Sequence, residues 1–209
     1  MIGEWKNRGM PRQTFRSTFT RVLCGIVWAI IAVVAIGLLV TPAATDAPAL
    51  VIVGALGAAA LVGGILWSPS VSVDDEGVQV DNITLRYRVP WSALVHVDTR
   101  YALQLHTPHR RISVTAAPSP GAAGSLRAAR AHRRSESALT PQVRPGDLPN
   151  TDSGRAAEMV RTRWYALRDA GRIEAGKAEQ TPVAVAARVD NVVLLLVGAA
   201  GVIAAIALA

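Results

Sequence analysis

The hydrophobic and polar positions divide the chain into segments of two kinds. Three windows contain no charged residue: Val22–Val40, Ala47–Trp67 and Asn191–Ala209. Because a helix rises about 1.5 Å per residue, roughly 20 apolar residues cross the ~30 Å hydrocarbon core of a bilayer. Each window has about this length and is apolar around its circumference. The pattern therefore predicts three transmembrane helices, a hairpin over 22–67 (spans 22–40 and 47–67) and a C-terminal anchor over 189–209.

Basic residues flank these windows unequally. The link Thr41–Asp46 contains no basic residue, whereas five precede the first span: Lys6, Arg8, Arg12, Arg16 and Arg21. Because Lys- and Arg-rich flanks remain in the cytoplasm, we expect the basic N-terminus (1–21) and the segment 68–188 on the cytoplasmic side. The C-terminus then lies outside, and the protein is a multi-pass protein of the inner (plasma) membrane.

A cleaved signal peptide is the alternative interpretation of the first window. Arg16 and Arg21 precede it and the small residues Pro42, Ala43 and Ala44 follow it, as in a secretory leader. The window is longer than a usual leader, and a second apolar window opens at Ala47. A membrane hairpin therefore fits the sequence better.

Residues 68–117 change to a period of two, which is typical of half-buried β-strands. Links between the runs are so short that neighbouring strands must be antiparallel. Asp74–Gly77 is predicted to be a turn, whose glycine can take a positive φ. We expect five or six strands in a small barrel or sandwich, and in its clearest strand the apolar residues Ile83, Leu85, Tyr87 and Val89 alternate with Thr84, Arg86 and Arg88.

One sheet of this size cannot cover its own apolar face, so a helix must pack on it. Asp152 and Ser153 are predicted to cap a helix that runs to about Asp169, within a capping segment 152–175. Trp164 and Leu167 are its expected buried residues. The preceding segment 118–151 is a proline-rich, basic, irregular linker, and 176–188 links the helix to the last span.

Composition and the absence of known motifs exclude several kinds of site and ligand. Only 18% of the residues are charged, and 22 basic against 15 acidic residues give a net charge of +7. The single cysteine, Cys24, excludes an internal disulfide and a cysteine-based zinc site. No glycine-rich phosphate loop, serine elbow or His-Glu-x-x-His motif occurs, so we predict no catalytic residue, cofactor or metal. Nucleic acid is not an expected partner, because no aromatic residues interleave with the arginines.

The order of these elements and two short motifs resemble a known family. The motifs are Asp75-Glu76-Gly77-Val78 and Val89-Pro90-Trp91, followed by the segment Gly146–Glu158. Together they resemble the membrane-anchored bacterial pleckstrin-homology (PH) domain proteins of actinobacteria. The resemblance implies a seven-stranded, partly open barrel closed by one C-terminal helix.

Arginines provide the candidate ligand contacts. In eukaryotic PH domains, a lysine and an Arg-x-Arg near the first hairpin bind inositol phosphates; here Arg86 and Arg88 match in part, without the upstream lysine. We expect these two on the solvent face of a strand, with anionic-lipid contact as the alternative. A basic cluster in the linker is the better lipid candidate: Arg127, Arg130, Arg133 and Arg134.

Other residues have plainer interpretations. His106 and His109 are expected in a solvated turn and not at a metal, Asp74–Glu76 in a solvated loop, and Trp91 in the core. Small residues let membrane helices approach closely. The candidates for helix packing, either within the hairpin or against another protein, are Gly54, Gly57, Gly198 and Gly201.

The sequence thus predicts an α+β membrane protein with a small PH-like antiparallel β-barrel or sandwich, one capping helix and three transmembrane helices. We expect a non-enzymatic binding or scaffolding module, whose partners are the lipid bilayer and another membrane or cytoplasmic protein. The alternative is an accessory subunit that packs through its Gly/Ala-rich spans in a larger membrane enzyme or transporter complex.

Overall fold

A computed structural model describes residues 11–41, 47–99, 102–118, 151–173 and 176–208, and the chain divides into two compact units. The sheet unit comprises Met1–Ser17, Ser70–Asp81 and Arg86–Ala186. The helical unit comprises Thr18–Pro69, Asn82–Leu85 and Ala187–Ala209. Residues 82–85, a short turn between two strands, are thus part of the helical unit.

Three long apolar helices form most of the helical unit: α1 (Thr18–Leu39), α2 (Pro48–Val62, continued by a π-helix over Gly63–Trp67) and α4 (Val189–Ala207). All three are long and apolar enough to cross a membrane, with mean hydropathies of 2.9, 2.5 and 2.3. Helix α2 packs against both α1 and α4. Most of the large apolar side chains on these helices remain exposed, as expected for surfaces that contact lipid.

Two antiparallel sheets form most of the sheet unit. The first has the strand order β1-β2-β3-β4-β8 and the second the order β5-β6-β7. The strands are β1 (Gln13–Phe15), β2 (Ser70–Val73), β3 (Gly77–Asp81), β4 (Leu85–Pro90), β5 (His96–Asp98), β6 (Ala102–His106), β7 (Arg111–Pro118) and β8 (Ala184–Ala187).

Strand register aligns the apolar positions of neighbouring strands. Val73 pairs with Val78, which pairs in turn with Val89, and in the second sheet Leu105 pairs with Ile112. Because side chains alternate between faces, each pairing places apolar side chains on one face of its sheet. All five are buried to within 2% of complete burial and belong to one core.

Helix α3 (Asp152–Asp169) covers this core. Its N-cap is Thr151, whose hydroxyl accepts a hydrogen bond from Gly154 N at 3.0 Å, so the cap lies one residue before the predicted Asp152 and Ser153. Gly171 follows the end of the helix with φ of +68°, a left-handed conformation that favours glycine at a helix C-terminus. Leu167 is 2% exposed, and Trp164 packs on the core while partly exposed. The predicted fold class, with antiparallel sheets and one packed helix, is confirmed.

Three expectations about the sheets were wrong. The resemblance implied seven strands, but the described residues form eight: six, β2–β7, match the five or six expected from the alternation, and β1 and β8 lie in segments predicted to be an N-terminal tail and a linker. Ile83 and Thr84 were assigned to the clearest strand, yet β4 begins at Leu85. Gly77 does not have a positive φ. A Cβ there would lie 2.2 Å from Val89 O, so glycine is required by the close approach of β4.

Candidate functional site

Arg88 on β4 is held by two carboxylates of the β2–β3 turn. Its Nη1 and Nη2 donate to the two Asp74 carboxylate oxygens at 2.7 and 2.8 Å, and Nη2 also lies 3.1 Å from Glu76 Oε2. Planar pairing of this kind is the strongest geometry available to an arginine–carboxylate pair. Arg86 makes a similar contact with Asp81, its cross-strand neighbour on β3. A lipid phosphate would therefore have to compete with carboxylates for both arginines.

Ionisation of Asp74 is favoured by this arrangement. Burial opposes the charged form, but the Arg88 hydrogen bonds, together with the backbone N–H groups of Glu76 and Gly77, lower the pKa of Asp74 below its ordinary value. The same Asp74 hydrogen bonds raise the pKa of Arg88. The pair is thus charged at any pH near neutrality.

The acidic turn is also joined to helix α3. Arg163, only 4% exposed, donates from Nη2 to Asp75 Oδ1 at 2.8 Å, and Arg172 Nη1 lies 3.6 Å from the other Asp75 oxygen. Trp91, buried as predicted at 4% exposure, donates from its indole N–H to Asp74 O at 2.9 Å. The expectation of a plain solvated loop was therefore wrong for Asp74 and Asp75, although Glu76 is 86% exposed.

The histidines form no metal centre in the part of the chain that the structure describes, where no group of three His, Cys, Asp or Glu residues could hold an ion. His106 lies on β6 opposite His96, and the two rings meet edge to face with centroids 5.7 Å apart. His109 is at the exposed hairpin tip, where its Nε2 lies 3.0 Å from Glu179 O. The sequence spacing of His106 and His109 therefore does not create one site.

The four candidate packing glycines lie where α2 meets α4. A Cβ on Gly57 would lie 2.6 Å from Gly198 O, and a Cβ on Gly198 would lie 2.8 Å from Gly57 O. Gly54 faces Ala205, and Gly201 faces Val53 O. The glycines thus bring the second and third helices together, whereas the sequence suggested contact between the first and second.

A polar cluster in the helical unit was missed by the sequence analysis. Arg188 and Asn191, one helical turn apart at the start of α4, are 8% and 2% exposed. Arg188 Nη1 donates to Asn82 O at 2.8 Å, and Asn191 Nδ2 donates to Ile83 O at 2.7 Å and Gly64 O at 3.0 Å. The i, i+3 spacing of two polar residues at the start of an apolar span was the available signal.

Asn191 donates a hydrogen bond to a carbonyl group that the π-helix at the end of α2 leaves without its regular donor. In the π-helix Gly63–Trp67, Ser68 N donates to Gly63 O at 3.1 Å, so Gly64 O loses the donor that an α-helix would give it. The next residue, Pro69, has no N–H to replace it. The Asn191 amide supplies the missing donor, and glycine at position 64 allows α4 to approach this closely, since a Cβ there would lie 2.7 Å from Leu195 Cδ2 and 3.3 Å from Asn191 Oδ1.

The linker arginines proposed for lipid contact, Arg127, Arg130, Arg133 and Arg134, lie outside the described residues.

A known protein family matches the central part of the chain. Residues 68–166 match the family model of the bacterial PH domain, which spans the six strands β2–β7 and most of α3. Residues 68–166 of the chain form a bacterial PH domain.

PH domains are generally non-catalytic interaction modules, and the three apolar helices indicate membrane association. No curated protein and no solved structure matches the chain. The family match thus supports an interaction role without naming a partner.

Proposed function

We propose that this PH domain protein is an integral membrane protein that presents its PH domain to the cytoplasm as a non-enzymatic binding and scaffolding module. The observation that carries the proposal is the placement of the PH domain, residues 68–166, between apolar helices that precede and follow it in the chain. A domain inserted in this way stays at the membrane surface whatever it binds.

The orientation rests on the distribution of basic residues. Five precede the first uncharged window, Val22–Val40, and none occupies the Thr41–Asp46 link, a distribution that favours a cytoplasmic N-terminus and PH domain. Reporter fusions at Asp46 and Gln142 test it, with an exported reporter expected at Asp46 and a cytoplasmic one at Gln142. An exported reporter at Gln142 would overturn the topology.

The binding role is supported by an open sheet edge. Strand β8 ends the first sheet, and all four of its residues are exposed, with Val185 at 40%. Such an edge presents unpaired N–H and C=O groups to which a partner strand can add. We therefore assign β8 as the docking edge for an extended segment of another membrane or cytoplasmic protein.

Copurification with the full chain in mild detergent tests the binding role. Val185→Lys places a charge at the β8 edge and is expected to remove the copurifying partner. Val95→Lys is a matched control, because Val95 is an exposed valine at 53% beside β5, an edge of the second sheet, and so receives the same charge away from β8. Equal recovery of partners by both variants and the unaltered protein would contradict the docking edge.

If the protein is instead an accessory subunit of a larger membrane complex, α1 is the helix that a partner would contact. The glycines of α2 and α4 face each other, whereas a Cβ at Gly25 or Gly37 of α1 would meet nothing within 4 Å. A partner helix would therefore approach α1. Gly25→Leu should disrupt a larger membrane complex and leave β8-dependent binding unchanged, so the two functions predict opposite effects of Gly25→Leu and Val185→Lys.

A further inference from the structure

An arginine and two tryptophans form a stacked column at one end of the α1–α2 hairpin. The Arg21 guanidinium carbon lies 4.1 Å from the centroid of the Trp67 ring. Trp67 in turn stacks on Trp28, with centroids 5.7 Å apart and planes at 27°. Arg21 immediately precedes the first uncharged window and Trp67 ends the second, so this column marks the headgroup level of the proposed spans.

The N–H donors of this column differ in whether they have an acceptor within the protein. The Trp28 indole N–H donates to Ala59 O at 2.9 Å, which satisfies it within the hairpin. In the described part of the chain, the Trp67 indole N–H has no acceptor and Arg21 has no carboxylate partner. The first turn of α1 contains no acidic residue either. Among the described residues, the positive charge of Arg21 therefore has no carboxylate beside it.

A phosphodiester is the anion whose chemistry fits this arrangement. A guanidinium stacked on an indole keeps its N–H edge available, and that edge matches two phosphate oxygens. Trp67 and Trp28 are each 37% exposed, so their rings can also contact the glycerol and upper acyl region of a lipid. The cation–π contact restricts the guanidinium before a ligand arrives.

We infer that Arg21 and Trp67 form a binding site for the phosphodiester headgroup of an anionic glycerophospholipid. The inference rests on the proposed membrane insertion and adds a ligand site outside the PH domain. Arg21 supplies the charged donors. Trp67 holds the guanidinium and offers its indole N–H, and Trp28 stacks on the Trp67 ring. An anionic lipid is favoured over a zwitterionic one, whose own ammonium competes for the phosphate.

Native mass spectrometry of the full chain, purified in mild detergent with added phosphatidylglycerol or phosphatidylcholine, tests the site. We expect phosphatidylglycerol to be retained at least about fivefold better than phosphatidylcholine, a ratio equivalent to about 1 kcal/mol. Arg21→Gln should abolish this preference. Arg21→Lys should restore only part of it, because an ammonium neither stacks on the indole nor pairs with two oxygens.

Arg16→Gln is the matched control, since Arg16 is an exposed arginine five residues earlier and the charge change is the same. Equal losses in Arg16→Gln and Arg21→Gln would overturn the site in favour of general attraction. Displacement of the lipid by millimolar inorganic phosphate would also overturn it and assign Arg21 to soluble phosphate. Carbonate extraction of membranes distinguishes failure of the lipid site from failure of the proposed membrane insertion. Release of the unaltered protein by carbonate would contradict membrane insertion. If the unaltered protein stays in the membrane but shows no preference for phosphatidylglycerol, only the lipid site is contradicted.

Discussion

The sheet unit and the helical unit pair their buried and partly buried arginines with different kinds of acceptor. In the sheet unit, Arg163 and Arg88 pair with the carboxylates of Asp75 and Asp74. In the helical unit, Arg188 donates mainly to the backbone oxygens of Asn82 and Ser68, and the one carboxylate near it among the described residues, Asp190, is 3.4 Å away and 68% exposed. Charge is thus balanced by charge in one unit and by backbone dipoles in the other.

This difference follows from the backbone of each unit. In the sheets, ladder hydrogen bonds already occupy most backbone groups, so Arg163 and Arg88 are paired with side-chain acceptors. The helical unit contains a π-helix and the turn 82–85, both of which leave carbonyl groups without their regular donors. An apolar environment makes such vacancies costly, so Arg188 and Asn191 stabilise the unit as donors.

The largest expected effect on stability comes from the close contact between α2 and α4, which involves no polar side chain. Gly57→Leu would put a Cβ 2.6 Å from Gly198 O, against backbone that cannot move aside. We expect a loss of about 3 kcal/mol or more in the free energy of unfolding, at the upper end for overpacking. Thermal unfolding in detergent measures it.

Gly25→Leu is the control for this substitution, because a Cβ at Gly25 meets nothing within 4 Å. It should change the melting temperature by little. Equal destabilisation by both substitutions would mean that leucine is harmful at any helical glycine and that the close α2–α4 approach is not the cause.

Removal of Arg163 tests the charge-pairing half of the comparison. Arg163→Gln leaves Asp75 with only the longer Arg172 contact and creates space in the core, so we expect a loss of about 2–3 kcal/mol. Arg168→Gln removes an exposed pair with Asp169 and should cost less than about 1 kcal/mol. Denaturant titration followed by Trp91 and Trp164 fluorescence compares them, and similar midpoints would contradict a structural role for the buried pair.

How far the sequence predicts these features depends on how local their signal is. Strands β2–β7 were predictable because each carries its own alternation, and α3 because its cap, apolar spacing and Gly171 are contiguous. Strand β1 is three largely exposed residues and β8 is four exposed ones, so neither has an apolar face to recognise. Both are defined by backbone pairing with a distant strand.

The candidate sites were less predictable because they join residues far apart in the chain. Arg163 and Asp75 are 88 positions apart, and Asn191 and Gly64 are 127 apart. Gly57 and Gly198 were recognisable as small residues, but composition alone does not say which helix a glycine faces. Gly77 was recognised as a necessary glycine for the wrong reason, since its constraint is the Val89 carbonyl and not its φ.

Asn191→Leu tests the dipole-donor half of the comparison. The substitution keeps the side-chain volume roughly constant and leaves the carbonyls of Gly64 and Ile83 without the amide, so we expect a loss of about 1–2 kcal/mol. Val193→Leu, at a position 50% exposed on the same helix, is the control and should be nearly neutral. A neutral Asn191→Leu in detergent unfolding would show that the π-helix does not need this donor.

The smallest expected effect is a pH dependence confined to the sheet unit. Because the pKa of Asp74 is lowered in the folded state, its stabilising contribution is fully present above the unfolded pKa of about 3.9. The contribution is lost as the pH falls through the folded value, and we expect a loss of about 1 kcal/mol. Denaturant titrations between about pH 5 and pH 2.5 should therefore show a falling midpoint for the sheet unit.

Asp74→Asn should flatten that slope, because the amide cannot titrate, while lowering the stability at neutral pH. Asp169→Asn is the control, since Asp169 is 69% exposed in its contact with Arg168 and should leave the slope unchanged. The helical unit should respond less, because the backbone oxygens that accept from Arg188 do not titrate over this range and Asp190, its carboxylate neighbour at 3.4 Å, is 68% exposed. An equal acid response of the two units would therefore contradict the distinction between charge-paired and dipole-paired arginines.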